Sequence, residues 1–380
     1  MIPDSKLPAV GTSIFTVMSQ LASEYGAINL SQGFPDFNCP TILADLVSHY
    51  TKAGFNQYAP MAGLTTLREQ ISLKTQLLYQ HTPNPETEIT ITSGATEALF
   101  AAIAAVVNPG DEVIVIEPAY DSYVPAIVLN GGIPVFVQLT LPDFSIDWEA
   151  VAAKITSKTR LLILNSPHNP TGAVLTREDL ENLAQIADHT GMYIIGDEVY
   201  EHIVFDGRQH QSLLRHKALA ARSFVISSFG KTYHATGWKV GYCIAPPALT
   251  TEFRKIHQYL TFSTVTPIQY ALADFLDNKE HYLNLPHFYQ QKRDLFCQLL
   301  ARSKFTLTPS PGTYFQLVSY QHITNEPDLT FAKRLTRELG VAAIPISVFY
   351  QNRQDNKILR FCFAKNEDTL RLAADKLCNL

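Results

Sequence analysis

The sequence predicts an α/β fold, and three observations carry that reading. Short runs rich in Ile and Val recur through the middle of the 380-residue chain, most of them bounded by turn residues. Several, such as Val113-Ile114-Val115-Ile116, are apolar without alternation, as suits strands buried on both faces of a parallel sheet. Helical patterns fall between them, and strands alternating with helices belong to the α/β class.

The strands are expected at 88–92, 112–116, 133–137, 160–164, 193–197, 224–228 and 240–245. Helices are expected to start at Ala95, near Asp121, at Thr176 and near Leu249. Thr176-Arg177-Glu178-Asp179 reads as a capping box, with Asp179 where Glu is usual. After about residue 280 the texture changes to long polar helices, with strands around Thr306, at 313–318 and at 357–363, which marks a second, smaller domain. A chain of this length with 46% hydrophobic residues can bury a substantial core and commonly divides in two. No repeat or Gly/Ser linker interrupts it, so a continuous helix near 250–300 is expected to join the parts.

The formal net charge is -5, from 30 basic and 35 acidic side chains, which points to neither a nucleic-acid nor a membrane surface. Cys39, Cys243, Cys297, Cys362 and Cys378 are scattered and lack the paired spacing of a metal or redox site, so reduced thiols in a cytoplasmic protein are expected. The start, Met1-Ile2-Pro3-Asp4-Ser5-Lys6, has no basic region followed by an apolar one, and the longest apolar run, 98–107, is too short to span a bilayer.

Four features carry chemistry. Lys231 lies in Ser228-Phe229-Gly230-Lys231-Thr232-Tyr233-His234-Ala235-Thr236-Gly237-Trp238-Lys239; an ATP-binding loop ending at Gly230-Lys231-Thr232 would need glycine at 225, where the chain has Val225. The strand ending at Thr92 runs through Ser93-Gly94 into a helix, leaving the amides of Gly94, Ala95 and Thr96 free to meet an anion. Asp197 ends a strand, where an aspartate can cap a turn or sit buried. Arg360 is a lone charge in the apolar run Ile358-Leu359-Arg360-Phe361: facing inward it needs an anion, and facing outward it is an ordinary surface arginine.

Together with Ser93-Gly94-Ala95-Thr96-Glu97-Ala98, Asn165-Ser166-Pro167-His168-Asn169-Pro170-Thr171-Gly172, Gly196-Asp197-Glu198-Val199-Tyr200 and Leu359-Arg360-Phe361, the Lys231 run resembles the class I pyridoxal-phosphate aminotransferases. The likeness extends in order and spacing from about residue 10 to the C-terminus. It implies the fold type I, aspartate aminotransferase-like architecture, with a mostly parallel central sheet sandwiched by helices and a smaller α+β domain. Residues 46–280 would form the large cofactor-binding domain and 281–380 the small one, with 1–45 contributing to the small domain.

The resemblance also implies roles. Lys231 would carry pyridoxal 5'-phosphate as an imine and, once freed, act as the base. Asp197 would hold a proton on the ring nitrogen, Tyr200 and Asn169 would meet the ring's oxygen, and Tyr120 would stack on its face. Gly94, Ala95, Thr96, Ser228 and Lys239 would hold the phosphate. Lys239 stands where the commoner motif has arginine, which keeps the charge but not the planar clamp. Tyr58, in Asn56-Gln57-Tyr58-Ala59, would reach the phosphate of a neighbouring subunit, so a homodimer with shared active sites is expected. Arg360 would take the substrate α-carboxylate, with the Gly33 backbone over the substrate and Phe15 lining its side-chain pocket. No metal is implied.

The runs Leu30-Ser31-Gln32-Gly33-Phe34-Pro35-Asp36-Phe37 and Arg360-Phe361-Cys362-Phe363-Ala364-Lys365 look like the branch containing kynurenine and bacterial methionine aminotransferases. The expected reaction moves the amino group of methionine or an aromatic amino acid to a 2-oxo acid. The alternatives are a kynurenine--oxoglutarate aminotransferase, a cysteine-S-conjugate β-lyase, and a non-catalytic ligand-sensing domain. The last usually follows a basic helix-turn-helix, whereas only about 30 residues precede Gln32-Gly33.

Overall fold

The computed structural model describes residues 4–380; Met1–Pro3, and with them the first residues of the 1–45 segment and of the sequence start read above, lie outside the described residues. Twelve strands occur among the described residues. In chain order they are β1 (Ile28–Asn29), β2 (Ile89–Thr92), β3 (Glu112–Glu117), β4 (Ile133–Gln138), β5 (Thr159–Asn165), β6 (Tyr193–Asp197), β7 (Ser223–Ser228), β8 (Gly241–Ile244), β9 (Phe315–Ser319), β10 (Val341–Ala342), β11 (Ile344–Pro345) and β12 (Ile358–Cys362).

Strands β2 to β8 form one sheet in the order β2-β8-β7-β6-β5-β3-β4. Neighbours from β4 across to β7 run parallel, while β8 is antiparallel to both β7 and β2. The unbroken apolar runs are explained by burial on two sides. Ile114, Leu162, Ile194 and Val225 join one apolar cluster, and Val113, Leu161, Ile195 and Phe224 join another on the opposite face. Helices Arg177–Asp188 and Thr65–Tyr79 contribute Leu180, Leu183, Leu67 and Ile71 to the first cluster; helices Gly94–Val106 and Pro247–Leu260 contribute Leu99, Ile103, Leu249 and Phe253 to the second. The capping box at Thr176 is present in full, with Asp179 answering the Thr176 backbone.

The first cluster continues into the C-terminal part, where β11-β12-β9 form an antiparallel sheet and Phe315, Val318, Leu359 and Phe361 are buried. The N-terminal stretch returns to this part: Ile28 pairs in parallel with Val341, and the Cys362 amide donates to Leu30 O at 2.8 Å.

Two expectations need correction. The helix near 250–300 is not continuous; it is broken into Pro247–Leu260, Thr266–Leu276, Glu280–Leu283 and Leu285–Leu300. Phe262 turns left-handed at φ +66° between the first two, and Pro267 and Pro286 open the second and fourth, where a missing N–H costs nothing. Around Thr306 there is no strand, only a single bridge to Ser319. The strands β1, β10 and β11 were not foreseen, being two residues each. All five cysteines are unpaired, Cys243 and Cys362 buried and the others partly so.

Candidate active site

The carboxyl ends of the parallel strands, where open α/β sheets commonly place ligands, bring most of the marked residues together. Asn165 and Asp197 are register partners at the ends of β5 and β6. Gly241 lies between Thr92 and Ser228 in the ladder, so the turn at Ser93-Gly94 and the loop carrying Lys231 meet side by side. Only glycine fits there: a Cβ on Gly241 would lie 2.7 Å from Ser227 O and 3.0 Å from the Ala95 amide nitrogen. Around this junction is a cavity of about 190 Å³, lined by Gly94, Ala95, Thr96, Tyr120, Asn165, Asn169, Asp197, Tyr200, Ser228, Lys231 and Lys239. A larger cavity of about 740 Å³ lies between the 139–146 segment and strand β9; it has no lysine in its wall and only Asn165 in common with the first.

One end of the smaller cavity has the make-up of an anion site. Gly94, at φ +78°, opens the helix Gly94–Val106, and the amides of Gly94, Ala95 and Thr96 have no acceptor among the described residues. Lys239 reaches over them, so close that a Cβ on Gly94 would be 3.2 Å from its Nζ. Glu97, in the same first turn, is occupied elsewhere: it accepts from the Ser93 amide at 3.1 Å and meets His257 Nδ1 at 3.0 Å.

At the other end Asp197 is buried, with no cation paired to it among the described residues. The Tyr123 hydroxyl donates to its Oδ2 at 2.6 Å and the Val199 amide to its Oδ1 at 3.4 Å. Burial pushes its carboxyl up to about 6 although both hydrogen bonds pull downward. Lys231 stands in the cavity wall, its Nζ donating to Gly33 O at 3.2 Å and lying 5.7 and 5.8 Å from the ring centres of Tyr200 and Tyr314. Enclosure lowers its ammonium to about 8, and Arg360 and Lys239 push the same way. Burial holds the Tyr200 phenol well above its ordinary value. Behind the site, buried Glu201 accepts from Lys74 Nζ and Ser227 Oγ at 2.7 Å, from the Tyr242 hydroxyl at 2.8 Å and from the Tyr79 hydroxyl, which packs the residues next to Tyr200 and Ser228.

Of the two orientations open to Arg360, the structure has the inward one. It is 0% exposed, donating to Asn169 Oδ1 at 2.6 Å and to Ser31 O at 2.9 Å, with its Nε unpartnered. The guanidinium lies 3.8 Å from the ring centre of Phe315, 5.3 Å from Phe15 and 5.8 Å from Phe349. No carboxylate pairs with it among the described residues, which is unusual for a charge so deeply buried. Gly33 is near, its carbonyl accepting from both Lys231 and the Tyr314 hydroxyl. Tyr58 is apart from all of these, 83% exposed beside Phe262.

The sequence reading missed Tyr123, Ser31, Tyr314, Phe315 and Phe349. Tyr123 fell in the helix expected near Asp121 and Tyr314 in the strand expected at 313–318, but a tyrosine in such an element carries no mark that separates a hydrogen-bonding role from packing.

The family model for aminotransferase class I and II matches residues 25–377. The methionine aminotransferase of Escherichia coli (strain K12) is 53% identical over 382 residues, which cover 100% of this chain and 99% of that one. The kynurenine--oxoglutarate transaminase of Dictyostelium discoideum is 36% identical over 418 residues, covering 100% and 96%. A solved structure from Escherichia coli, described as identifying a methionine aminotransferase function, matches with a TM-score of 0.98 at 52% identity, over 100% of both chains. The chain belongs to the class I and II aminotransferases.

Proposed function

We propose that this aminotransferase uses pyridoxal 5'-phosphate to move the amino group of methionine, and of aromatic amino acids, to a 2-oxo acid. The observation that carries the substrate class is Arg360: a buried guanidinium without a carboxylate, walled by Phe15, Phe315 and Phe349. It can take the donor's α-carboxylate through parallel hydrogen bonds, and the rings beside it suit an apolar side chain. Among the described residues the cations in the wall of the smaller cavity are Lys231 and Lys239, both assigned to the cofactor in this reading, and Arg360 adjoins that wall through Asn169. The relative named for methionine supports the same preference.

The residues present fit the cofactor. The free amides of Gly94, Ala95 and Thr96, with Ser228 and Lys239, would hold its phosphate; Asp197, a buried carboxylate in need of a cation, would hold its ring nitrogen; Tyr120 would lie against the ring, and Asn169 and Tyr200 would meet its oxygen. Bound there, pyridoxal phosphate supplies a carbonyl carbon for amines and a ring that withdraws electrons when its nitrogen is protonated. Asp197 keeps that proton in place through its charge. Lys231, with its amine lowered to about 8, gives up its proton more readily than an ordinary lysine, and its neutral form can take a proton from the donor's α-carbon and return it elsewhere. Arg360 orients the donor, and Gly33 O holds Lys231 Nζ on the side from which it acts.

Residues 46–280 serve in this reading as the cofactor-binding domain, and 281–380 with 1–45 as the small domain; the pairing of Ile28 with Val341 supports the grouping. Tyr58, exposed outside its own cavity, supports a homodimer in which it serves a neighbouring site. The five free cysteines accord with the cytoplasm. The test is kcat/KM for methionine, phenylalanine, kynurenine and aspartate with one 2-oxo acid acceptor. Methionine is expected to lead and aspartate to trail. A wide lead for kynurenine would favour the activity named for the Dictyostelium relative, and pyruvate with ammonia from a cysteine conjugate without acceptor would favour β-lyase action.

A further inference from the structure

The segment 31–37 crosses the site as a strap, and several of its oxygens are held by side chains or backbone from distant parts of the chain. Arg360 donates to Ser31 O, Lys231 and Tyr314 to Gly33 O, and Lys365 Nζ to Phe34 O at 2.8 Å. The Asp36 carboxylate accepts from the Asn366 amide at 2.6 Å and from Thr369 Oγ1 at 2.8 Å. Two of these donors have other work. In the reading above, Lys231 and Arg360 must turn to the cofactor and the donor carboxylate, and each then weakens its hold on the strap. Tyr314, Lys365 and the Asp36 contacts remain.

Lys365 is the unusual member. It is 3% exposed, yet no carboxylate pairs with it among the described residues; its ammonium has the Phe34 carbonyl and, 4.9 Å away, the centre of the Phe34 ring. A buried ammonium with one acceptor and one aromatic face is a poor device for stability, since desolvation opposes it. Its own backbone is fixed in turn, with Lys365 O accepting from Lys292 Nζ at 2.9 Å. What this geometry does well is hold one peptide plane, that between Phe34 and Pro35, in one place, and with it the adjoining plane that carries Gly33 O. Gly33 has no slack on its other side: a Cβ there would lie 2.8 Å from Phe315 Cζ, the ring under Arg360.

We propose that Lys365 is a positioning residue for the amino donor. It keeps the Gly33–Phe34 backbone over Lys231 and beside Arg360 while those two engage their reaction partners, and so sets donor affinity without touching the donor. The inference rests on the proposed roles of Arg360 and Lys231.

The test compares Lys365→Met, Lys365→Arg and wild type, first by hydrogen exchange of the Gly33, Phe34, Asp36 and Phe37 amides in the ligand-free protein and then by kinetics with methionine. Loss of a charge-assisted hydrogen bond predicts exchange faster by about tenfold and a KM raised about tenfold, with kcat changed less than about threefold. Lys365→Arg is expected to restore most of the KM. An unchanged KM in Lys365→Met, or equal damage to kcat, overturns the proposal. Should Lys365→Met fail to fold, Asp36→Ala frees the same strap from the exposed side and is expected to raise KM; an unchanged KM there overturns it equally. Arg360→Leu run alongside separates two failures. An unchanged KM in Arg360→Leu overturns the carboxylate reading and this inference with it, whereas a raised KM there beside an unchanged KM in Lys365→Met overturns this inference alone.

Discussion

Tyr123 donates its hydroxyl to Asp197 at 2.6 Å, and the two are buried together at the carboxyl end of the sheet. The bond favours the charged carboxylate, working against burial, which has raised Asp197 to about 6. Tyr123→Phe is therefore expected to raise it further, by about one pH unit. In the proposed reading a protonated ring needs Asp197 ionised, so cofactor affinity should fall as pH drops through about 6 in wild type and already at higher pH in the variant. Titrating pyridoxal phosphate by absorbance from pH 5 to 9 checks this; superimposable profiles would refute it.

Lys231 should cost the ligand-free protein stability at neutral pH. Its folded-state value of about 8 lies below the ordinary 10.5, so between those values the unfolded chain holds a proton that the folded chain lacks. Stability then rises with pH across that window, and the cost is full below 8. Lys231→Met is expected to unfold at higher urea than wild type at pH 7, by about 2 kcal/mol after allowance for cavity exposure and the lost Gly33 contact. The advantage should vanish above pH 10.5. The same variant should show no transamination.

Arg360→Leu and Asp197→Asn should fail in different ways. Removing a charged partner from an enclosed site costs roughly 2 to 5 kcal/mol, so Arg360→Leu should raise the methionine KM by tens-fold to thousands-fold. Asp197→Asn keeps the shape but loses the charge, and kcat should collapse with KM little changed. Steady-state kinetics on cofactor-saturated protein distinguishes the two patterns.

Gly241→Ala should injure cofactor retention without touching any group that would bind it. The added methyl would press on Ala95 N and Ser227 O, which are backbone atoms and cannot swing aside. The helix start and the Ser228 strand would be forced apart, and the dissociation constant for pyridoxal phosphate should rise at least tenfold, as read by fluorescence.

The seven strands of the main sheet were legible because they are short Ile- and Val-rich runs bounded by turn residues, the central ones buried on both faces; boundaries moved by one residue at most. Lys231, Asp197, Asn169 and Arg360 were legible because they stand in runs of distinctive wording, and the structure brings all four together. The strap contacts were not. Lys365 and Phe34, or Tyr314 and Gly33, are joined by hydrogen bonds to backbone carbonyls, and a carbonyl is present at every residue. The broken helix near 250–300 could have been read from Pro267 and Pro286, whose placement marks helix starts rather than interiors.

Ser31 and Arg360 are 329 residues apart in sequence and joined by one hydrogen bond. During synthesis the first of them leaves the ribosome long before the second has been made. The large sheet can assemble early, around its own neighbours, but the place proposed for a donor's carboxylate cannot exist until Arg360 emerges. A chain stopped short of Arg360 would thus have the large sheet and the Gly94 turn without the guanidinium that holds Ser31 O.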